Sequence, residues 1–530
     1  MRRLCGALLG AVSMLALGAA AEAKTLVFCS EGSPEGFNPQ LFTSGTTFDA
    51  SSRQVYNRLI QAERGTTDLG PGLAESHTVS DDGKEYTFKL RQGVKWHTTK
   101  DFTPSRDFNA DDVIFSFARM SDAEHPFHKL GGGQYEYFVG SGLADLLEKV
   151  EKIDEHTVKF VLKNPDATFI PVLSMDFASI LSAEYGEQLE KAGTLERMDL
   201  EPVGTGPFQL VAYQKDAVIR FKANPNYYEG KAALDNLVFA ITPDASVRWQ
   251  KVKAGECHVM PYPNPADLED MKANDSINLM QQEGLNIGYL GFNVETAPMD
   301  DKRVRQALNL AINKQSIIDS VYQGAGVAAK NPMPPTLWGY NKAVEDYPHD
   351  PEKARKLLEE AGHGDGFKTQ LWAMPVQRPY NPNARRMAEL IQADWKEIGV
   401  EAEIVSYEWG EYLKRTQAGE APSFMLGWTA DIADPDNFLG VLLGCDAAGA
   451  TNRARWCNEE FDQLIKKAKK INDQAERAKL YEEAQMVFKE DAPWVTIAHS
   501  IVFKPVRKEV VDFKIDPFGG HVFYGVDLEE

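Results

Sequence analysis

Histidine and cysteine are scarce in this 530-residue chain, ten and five respectively, and neither recurs at the spacing of a zinc site. The closest histidines, His125 and His128, flank a proline in a loop and have no third ligand at a metal-site interval, so we expect no metal. No Gly-x-Ser-x-Gly turn presents a nucleophile, Gly131-Gly132-Gly133 lacks the Lys-Ser/Thr of a phosphate loop, and no Gly-x-Gly-x-x-Gly opens a helix. Those absences leave no catalytic residue to name and no cofactor to expect. Basic residues are outnumbered, 57 Lys and Arg against 78 Asp and Glu, for a formal charge of −21. A surface of that sign repels nucleic acid and anionic lipid, and no basic stripe offsets it. Beyond the N-terminus the sequence shows no membrane-length apolar run, short-period repeat or low-complexity block.

The N-terminus itself carries Arg2 and Arg3, an apolar run from Leu8 to Leu17, and Ala21-Glu22-Ala23 before Lys24. This is the pattern of a secretory signal peptide, here residues 1–23, and it predicts export to the periplasm. Cleavage would remove Cys5 and leave Cys29, Cys257, Cys445 and Cys457, an even number that suggests disulfides in an exported chain. Three connectivities are open to four cysteines. Cys445 and Cys457 are close enough to staple one loop, which by elimination pairs Cys29 with Cys257.

The length predicts two or three domains. Lys24–Cys29 reads as an apolar strand, Ser51–Leu59 as a helix, and Glu85–Leu90 and Gly93–His97 as half-buried strands. Asn109 before paired acids signals a helix start. Later, amphipathic helices expected over Asp301–Asn313, Asp350–Ala361, Asn383–Ile398, Asn458–Lys470 and Asp473–Glu490 accompany strands near 368–374, 400–407 and 424–428. That alternation reads as an α/β fold.

Two strand ends carry the chemistry. After Phe424-Met425-Leu426 the chain continues through Trp428, Thr429, Ala430 and Asp431 into a turn-rich Asp-Pro-Asp-Asn segment, which places Trp428 and Asp431 at a strand's carboxyl end, where open α/β sheets bind ligands. After Leu371-Trp372 the chain enters a loop with Arg378, Pro379 and Tyr380. Asp431 is an acceptor-only group suited to an ammonium, and Arg378 a planar fork suited to a carboxylate. A dipeptide presents those groups about 7 Å apart when extended, at ~3.5 Å per residue. Both anchors are expected on loops outside the core.

Pro71-Gly-Leu-Ala-Glu75, Ser80–Leu90, Gly93–His97, Ala110–Phe117, Gly204-Thr-Gly-Pro-Phe208 and Asp434-Pro-Asp-Asn-Phe438 resemble the signature of the large peptide- and nickel-binding solute receptors of bacterial ABC importers. Cys29–Thr47, Trp372–Ala388 and Tyr407–Arg415 are similar to the dipeptide-binding branch of that family. The resemblance covers essentially the whole mature chain. It implies a two-lobed periplasmic binding protein fold with an inserted subdomain and a hinge: lobe I core 24–56, 205–283 and 502–530, insert 57–204, and lobe II 284–501. It also implies that Asp431 takes a peptide amino group and Arg378 its carboxylate, with Thr43, Tyr380, Trp428, Thr429 and Ala430 as neighbouring contacts. Ala430 and Ile432-Ala433 depart from the family pattern beside Asp431. The expected partners are dipeptides and an inner-membrane ABC permease, with the receptor acting as a monomer. The rival readings are a receptor for another zwitterion, haem or a longer peptide, and an exported peptide hydrolase.

Overall fold

The computed structural model describes residues 23–529, so the expected leader, Ala23 apart, and Cys5 lie outside the described residues. Thr25–Phe28 (β1) alternates half-buried and buried residues and opens a four-stranded sheet. Phe208–Gln214 (β2), Val218–Ala223 (β3) and Asn236–Ala240 (β4) complete it in the order β1-β4-β3-β2, with β1 and β4 parallel. Between β1 and β2 in the chain stands a separate antiparallel sheet of Ala74–Val79, Glu85–Leu90, Thr157–Leu162 and Leu147–Asp154. Both sheets feed one hydrophobic core that includes Phe28, Phe88, Phe160 and Phe239.

The largest sheet contains Ile277–Glu283 (β5), Asn286–Phe292 (β6), Phe367–Trp372 (β7), Val400–Val405 (β8), Ser423–Thr429 (β9) and Trp494–Arg507 (β10). Their order is β5-β10-β6-β9-β7-β8, with Gly326–Ala328 beside β10. β7 runs parallel to β8 and β9, and helices Ala384–Glu397 and Trp409–Gln417 fill the crossovers. A second core of Leu290, Trp395, Met425 and Val495 forms on these strands.

The fourteen residues of β10 change partner midway. Trp494 to Ala498 face β6, whereas Ile501 to Arg507 face β5. At the same level the β5–β6 turn passes through Gly284, where an added Cβ would lie 1.9 Å from Asn286 Nδ2 and 2.6 Å from the Ser500 carbonyl. Only glycine fits there. Asn286 Oδ1 accepts hydrogen bonds from Ser500 N (2.9 Å) and Ser500 Oγ (3.1 Å), so the two crossing segments clasp each other where the sheet passes from one core to the other.

Five helix starts stand where polar caps predict them. Asp301, Asp350, Asn383, Asn458 and Asp473 each accept a backbone N–H of the first turn. Two expectations fail. The helix expected over Ser51–Leu59 is instead Gly45–Ala50, because Ser51 Oγ turns back to the Thr47 carbonyl and the Gln54 and Val55 carbonyls are taken by Phe208 N and Gly206 N. Gly93–His97 forms no strand; Val94 O accepts from Phe108 N and His97 N donates to Gly204 O, both outside any ladder.

The structure pairs Cys29 with Cys257 (Cα–Cα 5.7 Å) and Cys445 with Cys457 (4.6 Å). The first bridge ties the end of β1 to the segment whose Val259 makes single bridges to Phe28 and to Val506 of β10. Non-reducing peptide mapping should recover these two linkages; free thiols or crossed pairs would contradict it. Replacing both Cys445 and Cys457 with Ser should lower stability in denaturant melts by up to ~3 kcal/mol, the size chain entropy assigns to a short loop.

Candidate functional site

The loop after β7 is seated by two facing glycines. Gly288 of β6 and Gly427 of β9 are register partners, and an added Cβ on either would lie 2.1 Å from Tyr380, from its carbonyl at one and from its ring at the other. Tyr380 therefore packs directly on the sheet, and Tyr322 Oη donates to its carbonyl at 2.6 Å. The loop closes on itself through reciprocal backbone bonds between Arg378 and Asn381 (3.1 and 3.0 Å), while Pro379 and Pro382 restrict it. Arg378 is consequently held in one place.

Arg378 stands on a loop as expected, but contrary to the expectation of a place outside the core it is only 5% exposed. Its Nη1 donates to Glu31 Oε1 (3.0 Å) and to the Gln377 carbonyl (2.9 Å), and its Nη2 to Thr46 Oγ1 (3.0 Å). Thr46 in turn donates to Glu31 Oε1 at 2.5 Å. Tyr262 and Trp409 lie against the guanidinium, with ring centroids 5.4 and 5.3 Å from Cζ. Glu31 keeps a second oxygen buried with no hydrogen-bond partner.

Asp431 is positioned from the end of β9. Ala430 N donates to the Leu285 carbonyl (2.8 Å), and Asn437 Oδ1 accepts from both Asp431 N (2.8 Å) and Trp428 Nε1 (3.1 Å). Tyr137 Oη donates to the Asp431 carboxylate at 3.1 Å from each oxygen. Three aspartates share this turn, and two have cations: Asp434 pairs with Arg477 (2.8 Å) and Asp436 with Lys469 (3.4 Å). Among the described residues Asp431 has none within ion-pair distance. Burial first, and then the neighbouring Asp176 carboxylate, push its pKa up to about 7.

Arg378 and Asp431 line the same cavity, of about 100 Å³, together with Thr43, Pro379, Tyr380, Trp428 and Thr429. Ala430 does not reach it; this residue is fully buried and only carries the chain to Asp431. Glu31, Tyr137 and Arg453 are the residues that sequence reasoning missed. They meet the site only in three dimensions: Glu31 accepts from Arg378, Tyr137 donates to Asp431, and Arg453 lines the cavity while reaching Glu136 at 2.9 Å. Glu31 had one local signal, a carboxylate two residues after the bridged Cys29. Among the described residues no group of three or more His, Cys, Asp or Glu is placed to hold a metal.

Residues 68–450 match the family described as "Bacterial extracellular solute-binding proteins, family 5 Middle". The Dipeptide-binding protein of Escherichia coli (strain K12) is 58% identical over 516 residues, covering 97% of this chain and 96% of the relative. The crystal structure of a dipeptide binding protein from Pseudoalteromonas sp. SM9913 in complex with Met-Leu is 41% identical, with a TM-score of 0.93 over 96% of this chain and all of that one. An ABC transporter-associated periplasmic binding protein from Helicobacter pylori, in complex with the peptide STSA, is 36% identical, with a TM-score of 0.91 and coverage of 96% and 98%. The chain therefore belongs to the family 5 bacterial extracellular solute-binding proteins and has their two-lobed fold.

Proposed function

We propose that this chain is a periplasmic receptor that binds dipeptides by their charged ends between its lobes and delivers them to an inner-membrane ABC importer, catalysing no reaction. The observation that carries the reading is one cavity faced by a buried guanidinium and by a half-buried carboxylate that has no ion-pair partner among the described residues. A peptide ammonium at Asp431 supplies the missing counter-charge, and the peptide carboxylate takes the edge of Arg378 that Glu31 and Thr46 leave open. Thr43, Tyr380, Trp428 and Thr429 form the walls, and Pro379 limits the entropy lost on binding. The named dipeptide-binding relatives support this choice of ligand. Export rests on the leader pattern, and the importer on the description of the Helicobacter relative.

In this reading the hinge is the pair of crossings at Gly284 and Ser500. The lobes then divide as 24–56, 205–283 and 502–530 against 284–501, with 57–204 inserted. The change of partner along β10 and the separate hydrophobic cores support those limits.

Asp431→Ala and Arg378→Ala should each weaken dipeptide binding by about 2–5 kcal/mol, the usual loss when one partner of a buried charge pair is removed. Calorimetry would read this as roughly thirty-fold to several thousand-fold. Arg378→Ala also strands Glu31, so its melting temperature should fall. Combining it with Glu31→Gln should restore stability without restoring binding. Arg378→Lys, which keeps the charge but loses the fork, should show an intermediate loss. Binding within about threefold of wild type in a stable Arg378→Ala protein would place the carboxylate elsewhere.

Protons give a second check. With its pKa raised to about 7, Asp431 is mostly protonated at pH 6 and mostly ionised at pH 8.5. An incoming ammonium favours the ionised form, so binding should release close to one proton at pH 6, about none at pH 8.5, and affinity should fall as pH drops below 7. Calorimetry in buffers of different ionisation enthalpy measures this directly; no release at pH 6 would contradict it.

A further inference from the structure

Thr43, Trp409 and Leu413 line both the small cavity and a larger chamber of about 1860 Å³. Glu35 also lines that chamber and stands at its Arg378 side. Its backbone N–H donates to Thr47 Oγ1 (3.0 Å), and its Cγ would be 3.8 Å from a Cβ added to Gly410, the residue after Trp409. The Oε1 of its carboxyl is buried with no hydrogen-bond partner. A buried oxygen left unsatisfied costs about 1–3 kcal/mol, so this carboxyl is under-compensated for its burial and favours a cation approaching from the chamber. Glu136 lines the same chamber but is already paired with Arg453.

We propose that Glu35 selects the side chain of the second residue of a bound dipeptide, favouring a basic one over an acidic one. The inference rests on the dipeptide reading, with the C-terminal carboxylate on Arg378. The Cα next to that carboxylate then lies beside Trp409, and its side chain leaves past Thr43 and Trp409 into the chamber. A lysine or arginine there meets the Glu35 carboxyl, whereas an aspartate or glutamate meets Glu35 and Glu136 together. The chamber also has cations, Lys100, Lys215, Lys222, Lys414 and Arg455, but among the described residues none forms an ion pair with Glu35 or Glu136.

The groups facing Glu35 are the Ser44 and Thr47 hydroxyls, the Glu136 carboxylate, the Arg378 guanidinium and the start of the Trp409–Gln417 helix, where Glu408 Oε2 would be 3.4 Å and Glu35 Cγ 3.8 Å from a Cβ added to Gly410. Burial, and after it Glu136, raise Glu35 to about 7 against the pull of Ser44 and Arg378. Its charge, and with it the selectivity, should therefore grow from pH 6 to pH 8.5. Asp431 titrates over the same range but acts on every dipeptide alike, so it cancels in a ratio of affinities.

The test is calorimetry of Ala-Lys, Ala-Ala and Ala-Glu on the wild type and Glu35→Gln at pH 8. We expect the wild type to bind Ala-Lys at least about tenfold tighter than Ala-Glu, the ratio to shrink to about threefold in Glu35→Gln, and Ala-Ala to change by less than about twofold. Should the variant not fold, the wild-type ratio at pH 6 and pH 8.5 decides instead, and we expect it to be larger at pH 8.5. A ratio unchanged by Glu35→Gln, or unchanged between the two pH values, overturns the inference and leaves the dipeptide reading standing. Failure of all three peptides to bind the wild type overturns both.

Discussion

A half-buried carboxylate with no ion-pair partner among the described residues is the constraint on which the site turns. Asp431 is offered hydrogen bonds by Tyr137 and Asn437 but, among the described residues, no ion pair, while Asp434 and Asp436 a few residues on each have one. Transferring an unpaired charge into a protein interior is costly enough that such a group either protonates or finds a partner. The raised pKa of Asp431 expresses the first outcome. A ligand ammonium would express the second, and much of the surrounding fold is arranged to make it available.

Arg378 solves the complementary problem differently. Its charge is already shared with Glu31, a residue of the first strand's exit loop, so the guanidinium is oriented before any ligand arrives. That bond also crosses the molecule. Tyr137 to Asp431, Glu136 to Arg453 and Asp166 to Lys469 are contacts of equally long sequence range. In our reading the site is complete only when both halves are together, and the paired crossings at Gly284 and Ser500 are the hinge at which they part. In our reading, binding and closure are one equilibrium, in which a ligand favours the closed form by touching both halves.

What could be read in the sequence was what is local. Capping residues such as Asp301 and Asn458 announce their helices because the cap and the N–H groups it serves lie within one turn. Strand ends at Trp372 and Thr429, and with them the placement of Arg378 and Asp431, follow from apolar runs meeting turn residues. Segments whose backbone bonds are made at long range were misread: Gln54 and Val55 bond to Phe208 and Gly206, and that cannot be inferred from residues 51–59. The roles of Glu31 and Tyr137 are hidden for the same reason, since Arg378 and Asp431 are 347 and 294 residues away, although Glu31 has its place beside Cys29 as a local hint. Gly288 and Gly427 look like ordinary strand glycines until the register brings them together under Tyr380.

The central claim is that one cavity holds both ends of a zwitterion, each against a fixed opposite charge. Calorimetric titration of a dipeptide beside its N-acetyl and C-amide forms tests it most directly. The account predicts tight binding of the free dipeptide and a loss of at least about thirty-fold for each capped form, the lower limit for removing one buried charge partner. Equal affinity of the free and capped peptides would contradict it.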